Sequence, residues 1–327
     1  MNAERHSSSQ RDLRRAKRSV ISKGHKLMTS DCDPEVMALR DSEHRLKVSV
    51  IITTLNEEIN IEECIESVLW ADEILLVDSH SSDMTVEHAQ RYPIRILQRE
   101  YFGSAAQKNW ALDRVENDWV LILDADERVT EGLACELLTM LESGPDHYGY
   151  SIRRRNIVLE KVIEHSGWST DKVVRFFHKD HGRYPNRRVH ADLIIDGPVP
   201  VMKNSLIHFT FLSFSQYLEK FLNYAEWGAA QGFREGRRAG FIEIAGRPTW
   251  RFFRTYVLQL GFLDGLHGLV ICGLQAFGSF LKYARLWEYT VKDRLGHRLD
   301  LPAFDESDET WARPEEKNGA VSPPLGS

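Results

Sequence analysis

Short apolar runs rich in β-branched residues alternate with helically spaced ones from Val48 to Leu141, and this alternation constrains the fold more than any other feature of the sequence. Val48–Thr54 (VSVIITT) is an almost unbroken apolar run, the pattern of a strand buried on both faces. Ile61–Trp70 follows with Ile61, Ile65, Val68 and Leu69 on one helical face. Ile74–Val77, Ile94–Gln98 and Trp119–Leu123 read as further strands, and Thr85–Arg91, Ala105–Arg114 and Thr130–Leu141 as helices. Strands joined by helical crossovers lie parallel. The pattern therefore predicts an α/β fold, a mostly parallel sheet flanked by helices with right-handed crossovers. Beyond residue 147 the rhythm changes. Tyr148–Ile152, Val173–Phe177 and Leu193–Ile195 read as strands between polar loops, Ser215–Glu235 as a helix capped by Ser213 or Ser215, and residues 249–289 as a long apolar helical region.

Ligands of an open α/β sheet bind beyond the carboxyl ends of its strands. Three such ends are polar here: Thr53-Thr54-Leu55-Asn56-Glu57-Glu58, Asp78-Ser79-His80-Ser81-Ser82-Asp83 and Asp124-Ala125-Asp126-Glu127. Helix capping accounts for Asp83 and Thr130. It does not account for Asp124 and Asp126, two carboxylates that follow an apolar strand and repel unless a cation or donor stands between them. An Asp-x-Asp at this place suits Mg²⁺ or Mn²⁺ bridging a diphosphate. The chain has no GxGxxG and no GxxxxGK[ST], so cations rather than a glycine-rich loop must neutralise phosphates. Lys108 and Asn109, on the helix before the fourth strand, are placed to help at the same mouth.

Composition narrows the class. With 42% hydrophobic residues among 327, the chain has enough apolar surface to fold, and a net charge of −6 gives no sign of a nucleic-acid binder. A mean hydropathy of −0.38 excludes a polytopic membrane protein. Cys32, Cys64, Cys135 and Cys272 are scattered, with no CxxC, as in a reducing cytosol. No apolar segment of a secretory signal follows the basic N-terminus, which places the expected chemistry on the cytoplasmic side. Met1–Lys26 carries eight Lys/Arg against two acidic residues, and the stretch from Asp300 seven acidic against two basic with four prolines. The expected organisation is a basic flexible extension (1–46), a catalytic α/β domain (47–212), a helical and membrane-associating region (213–298) and an acidic disordered tail (299–327).

The segments SVIITTLNEE, ADEILLVDSHSSDMT, GSAAQKNWAL and DWVLILDADE, in that order and spacing, resemble the family 2 glycosyltransferases of GT-A (Rossmann-like) fold. SGWSTDKVVRFF, VHADLIIDGPV and RFFRTYVLQLGFLDGLHG…FLKYARLWE resemble the subgroup with the lipopolysaccharide core β-glucosyltransferases. The resemblance spans roughly Val48 to Glu288. It implies a nucleotide-sugar donor, UDP-linked, contacted by Thr54, Glu57, Asp78, Lys108 and Asp124. It implies Mg²⁺ or Mn²⁺ held by Asp126 and by His208 in SLIHF. The sequence departs from the family at two points. His80 stands where a glycine is usual, at a position where φ > 0 is expected. Val189-His190-Ala191 replaces Val-His-Glu, and Asp192 next to it points to the opposite strand face.

An inverting transfer needs a base for the acceptor hydroxyl. The candidates are Asp171 first, then Asp192 and His190. Asp171 follows Trp168, which suits stacking on a sugar; its simplest structural role is pairing with Arg175. Arg153, Arg154 and Arg155 suit an anionic acceptor or a solvated strand edge. The region Thr255–Tyr283 is apolar, yet its longest run without Asp, Glu, Lys or Arg, Gly265–Leu281, has 17 residues, short of the ~20 of a span. Arg251, Arg254, Lys282 and Arg285 flank it with Trp250 and Trp287, which suits monotopic attachment. The implied acceptor is lipid-linked or lipopolysaccharide, the location peripheral on the inner face of the cytoplasmic membrane. An inactive nucleotide-sugar-binding scaffold is the competing reading, motivated by the missing glutamate. A nucleotidyltransferase is disfavoured because TTLNEE lacks a glycine-rich loop.

Overall fold

The computed structural model describes residues 34–185, 192–211 and 214–302. The basic arm before residue 34, Val189-His190-Ala191, Ser213 and the acidic tail from residue 303 lie outside the described residues.

Strands β1 (Val48–Thr54), β2 (Glu73–Asp78), β3 (Arg95–Gln98) and β4 (Trp119–Asp124) pair in parallel in the order β3-β2-β1-β4. The continuous apolar runs are explained by burial on both faces. Val50, Ile52, Leu76, Leu121 and Leu123 pack toward α1 (Ile61–Glu66) and α4 (Glu131–Ser143) on one side. Ile51, Leu75, Val77, Val120 and Ile122 pack on the other side with Ala111 and Leu112 of α3 (Ser104–Leu112). Helix α2 (Thr85–Ala89) carries the chain from β2 to β3. Thr130 caps α4, accepting from Leu133 N–H at 3.2 Å, as its position before the apolar run predicts.

Past β4 the sheet turns mixed. After β5 (Glu127–Val129) come β6 (Gly149–Val158), β7 (Lys161–Val162), β8 (Lys172–His178) and β11 (Val201–Phe211). Strand β8 runs antiparallel between β4 and β6, β11 lies parallel to β6, and β5 closes the far edge antiparallel to β11. The parallel order expected for the first half holds. The second half reverses direction because no helix lies between β6 and β8, and strands without a crossover pair antiparallel. A two-stranded ribbon joins β9 (Gly182–Arg183) to β10 (Ile194–Ile195).

The expected basic flexible extension, 1–46, overlaps residues that the structure describes. Residues 34–46 are folded: Arg45, 5% exposed, pairs with Asp72 at 2.7 Å and donates to the carbonyls of Leu39 and Arg40. The far boundary also shifts, since Arg234 donates to the carbonyl of Pro302 at 2.6 Å and Leu299 and Leu301 pack on Leu286 and Tyr289. Cys64 and Cys272 are buried free thiols.

The C-terminal region comprises α5 (Phe214–Arg234), α6 (Arg247–Phe253) between π-helical turns Ile242–Gly246 and Arg254–Leu258, a 3-10 turn Gly261–Asp264, and α7 (Gly265–Arg294). The apolar region is therefore not one helix. Leu260 adopts φ 56° and reverses the chain. Two glycines of α7 serve close packing: a Cβ on Gly268 would lie 1.8 Å from the carbonyl oxygen of Gly261, and one on Gly278 would lie 2.0 Å from the ring of Phe221.

Candidate active site

The carboxyl ends of β1, β2 and β4 meet as the register dictates, with Thr54 opposite Asp78 and Thr53 opposite Asp124. Thr53 donates to Asp124 Oδ1 at 3.2 Å. Lys108, buried on α3, pairs with Asp124 Oδ1 at 2.9 Å, and Arg175 of β8 donates to Asp124 Oδ2. Burial works against ionisation of Asp124, but Arg175 and Lys108 outweigh it and hold its carboxyl well below the usual range. Burial and the neighbouring Arg175 push the Lys108 ammonium down. The repulsion anticipated between Asp124 and Asp126 is thus relieved by two side chains of the protein itself.

Glu127 completes this network. It is fully buried, accepts from Asp124 N–H at 3.0 Å and pairs with Arg175 at 2.9 Å and Arg154 at 3.4 Å. Arg154 forks onto Asp171, with both bonds at 3.0 Å. Asp171 is therefore paired, but with Arg154 rather than Arg175. Burial opposes its charge, and the Arg154 fork and Asn156 override burial and keep it ionised.

On the other side, Asn156 of β6 donates to Asp171 Oδ2 at 2.9 Å, and its Oδ1 lies 2.6 Å from His208 Nδ1. With Nδ1 as the donor, His208 turns Nε2 toward Asp126, whose Oδ1 is 3.7 Å away. Burial lowers and Asp126 raises the His208 pKa, and Asp126 prevails. Asp171, Asn156, His208 and Asp126 thus form one chain across β6, β11 and the β4–β5 turn.

Among the described residues, no group of three or more His, Cys, Asp or Glu converges as a protein-only metal site. Asp126 and His208 have the right donor chemistry: one carboxylate, and one imidazole oriented through its second nitrogen by Asn156. Two protein donors fit a cation that takes its remaining ligands from phosphate oxygens and water.

The other sequence candidates divide. Thr54 is buried at the mouth, and its Oγ1 has no hydrogen-bond partner among the described residues. Glu57 accepts from Asn60 at 2.6 Å. Asp78 is fully buried and accepts from Ser81 N–H at 3.0 Å and Gln98 at 3.0 Å, so it folds the loop that follows it. His80 in that loop has φ 61°, the left-handed value expected where it replaces glycine. Asp192 is exposed beside β10, and His190 lies outside the described residues. Of the arginine triplet, Arg154 enters the site, while exposed Arg153 donates to the carbonyl of Met202. Sequence reasoning missed Glu127 and Asn156 and gave Arg175 no role beyond pairing with Asp171. For Glu127 a signal existed, a third acid directly after Asp-Ala-Asp; Arg175 and Asn156 sit on strands whose antiparallel register the sequence does not specify.

Trp168 packs in a cluster with Val158, Ile163, Ile271 and Leu274, tying the Asp171 loop to the helical region. Asp264, 3% exposed, secures the same loop. It accepts from the N–H groups of Glu164 at 3.3 Å and His165 at 3.0 Å, and its carbonyl accepts from Lys161 at 2.7 Å.

Residues 49–196 match the family model described as Glycosyl transferase family 2. The lipopolysaccharide core biosynthesis glycosyltransferase LpsC of Rhizobium meliloti is 29% identical over 267 residues, which cover 77% of this chain and 99% of that protein. Among solved structures, TarS of S. aureus with UDP-GlcNAc is 15% identical with TM-score 0.39, covering 80% of this chain and 98% of that one. Glucosyl-3-phosphoglycerate synthase of Mycobacterium tuberculosis with Mn²⁺, UDP-glucose and phosphoglyceric acid is 24% identical with TM-score 0.31, covering 39% and 49%.

Proposed function

From the match of residues 49–196 to the Glycosyl transferase family 2 model, we propose that the chain is an inverting, divalent-metal-dependent transferase. It moves a hexose from a nucleotide-sugar, UDP-linked, to a lipid-linked or lipopolysaccharide-core acceptor at the inner face of the cytoplasmic membrane. The observation that carries this reading is the joining of Asp124, held ionised by Lys108 and Arg175, to the Asp126–His208 pair at one strand-end mouth. LpsC, similar along its whole length, supports the acceptor class.

Asp126 and His208 would hold Mg²⁺ or Mn²⁺, which when bound supplies positive charge to the leaving diphosphate. Thr54, Glu57 and Asp124 line the nucleotide side, and Asp78 shapes its loop. Asp171 is the proposed base. Its carboxylate is ionised, its side chain is 25% exposed, and three hydrogen bonds leave it a lone pair. The acceptor oxygen bonds to the anomeric carbon as the bond from that carbon to the diphosphate oxygen breaks. The acceptor's proton passes to Asp171, and configuration inverts. The attachment surface is the apolar helical region. Residues 261–294 include a helix long and apolar enough to cross a membrane, with 33% of its apolar window buried, and we assign it to lying on the membrane.

A thermal-shift panel of UDP-, GDP-, ADP- and dTDP-sugars with and without Mn²⁺ tests the reading. A UDP-sugar should raise Tm only with the metal present, and slow donor hydrolysis should accompany it. A shift with no donor and no metal combination would sink it, and binding without hydrolysis or transfer would leave the inactive scaffold.

A further inference from the structure

Four cations converge where three helical elements meet, away from the strand-end site. Arg237 follows α5, Arg247 and Arg251 stand one turn apart on α6, and Lys282 is on α7. Gly228 and Gly232, one turn apart on α5, make the room: a Cβ on Gly228 would lie 3.4 Å from Lys282 Cε, and one on Gly232 would lie 3.6 Å from Arg237 Nε. Tyr283 forms the floor, with the Arg247 guanidinium 5.2 Å and the Lys282 ammonium 6.0 Å from its ring centre. Burial, and next the charge of Arg237, push the Lys282 ammonium down; Glu235 opposes them, and Arg247 and Arg251 add to the lowering.

The acids nearby are already engaged. Glu235 pairs with Arg237, and Glu243 accepts from Gly240 N–H at 2.9 Å. Of the neighbouring cations, Arg238 pairs with Asp293, and Arg285 with Glu226 and Glu288. Among the described residues, no ion pair is formed by Arg247, Arg251 or Lys282. Arg251 donates instead to Gln275 at 3.3 Å. The same segments bear exposed hydrocarbon: Phe241 is 85% exposed, Ile242 73% and Trp250 57%.

We infer that Arg237, Arg247, Arg251 and Lys282 over Tyr283 form a binding site for the phosphate of an anionic lipid headgroup, at the edge of the apolar surface that enters the bilayer. The inference rests on the proposed membrane attachment and adds a ligand to it. Converging guanidinium groups on a rigid helical frame suit bidentate phosphate recognition, and a phosphate relieves their mutual repulsion. Trp250 and Phe253, both exposed, share α6 with Arg251, and aromatic and basic residues together suit an interface.

Flotation of the full chain with phosphatidylcholine vesicles, with and without phosphatidylglycerol, tests the inference. Wild type should bind both and prefer the anionic vesicles by at least about tenfold. Arg247→Gln/Arg251→Gln/Lys282→Gln should lose that preference yet keep neutral-vesicle binding and its stabilisation by UDP-glucose with Mn²⁺. Should the triple variant not fold, Lys282→Gln alone should lower the preference roughly fivefold. Arg238→Gln/Arg285→Gln should retain it. A preference surviving the cradle variants, or lost equally in the control, overturns the site. Release by millimolar inorganic phosphate would assign it to free phosphate and overturn the lipid ligand. Neutral binding without preference overturns the site alone; binding to neither vesicle overturns the membrane reading beneath it.

Discussion

The strand-end site and the helical region depart from the usual globular pattern in opposite senses. At the strand ends, Lys108, Glu127, Arg128 and Arg175 are buried, each at 5% exposure or less. In the helical region, Phe241, Leu266 and Leu263 stand more than half exposed. Buried charge costs free energy unless paired, and exposed hydrocarbon gains nothing from folding. The buried charges are paired within the chain, whereas the exposed hydrocarbon has no such partner. Under the proposed function the first would serve a charged donor, and the second would be covered by a medium other than water.

The largest effect expected belongs to the first region. Asp126→Ala should lower turnover at least about a thousandfold, roughly 4 kcal/mol of transition-state stabilisation, and abolish the metal dependence of donor binding. Steady-state kinetics with and without EDTA measure this, and wild-type turnover in the variant would break the metal reading. Next, Arg175→Met leaves Asp124 and Glu127 without their shared partner, so unfolding in urea should show a loss of about 3 kcal/mol. A neutral result would mean that the buried charges are stabilised by something other than each other.

How much of this contrast the sequence disclosed follows from the range of the interactions. Strands β1 to β4 and the Thr130 cap were legible, because periodicity and capping act over a few residues; the left-handed His80 was implied by the family resemblance, which has glycine there. Asp124 and Asp126 were legible because an apolar strand led directly into them. The Asp171–Arg154 fork was not, since it depends on register between β6 and the loop before β8 and the sequence offered Arg175 equally. In the sequence Asp264 is only the residue that bounds the charge-free run Gly265–Leu281. In the structure it is a buried acceptor holding a loop about a hundred residues earlier in the chain.

That contact joins the two regions and can be tested. Asp264→Ala removes the buried acceptor of two part-buried loop N–H groups and should cost about 1 kcal/mol or more in stability. If the loop carries the base, the variant should also lose transfer to acceptor while keeping UDP-glucose affinity. Hydrogen exchange over residues 161–171 should rise selectively. Unchanged exchange there would mean that the helical region and the site are independent bodies.

The smallest expected effect defines the helical region best. Leu266, at 72% exposure near the start of α7, has most of its hydrocarbon already in water. Leu266→Ser should therefore change unfolding free energy by no more than about 0.5 kcal/mol. Leu121→Ser, on a fully buried residue of β4, removes a similar volume and adds a hydroxyl without a partner, and should cost about 3 kcal/mol or more. The ratio reverses on vesicles. There Leu266 gains the transfer free energy of its side chain, about 1.5 kcal/mol or more, so Leu266→Ser should weaken vesicle partition about tenfold without destabilising the free protein. If Leu266→Ser destabilises the free protein as much as a core substitution, the apolar face is covered within the chain in solution, and the opposition between the two regions collapses.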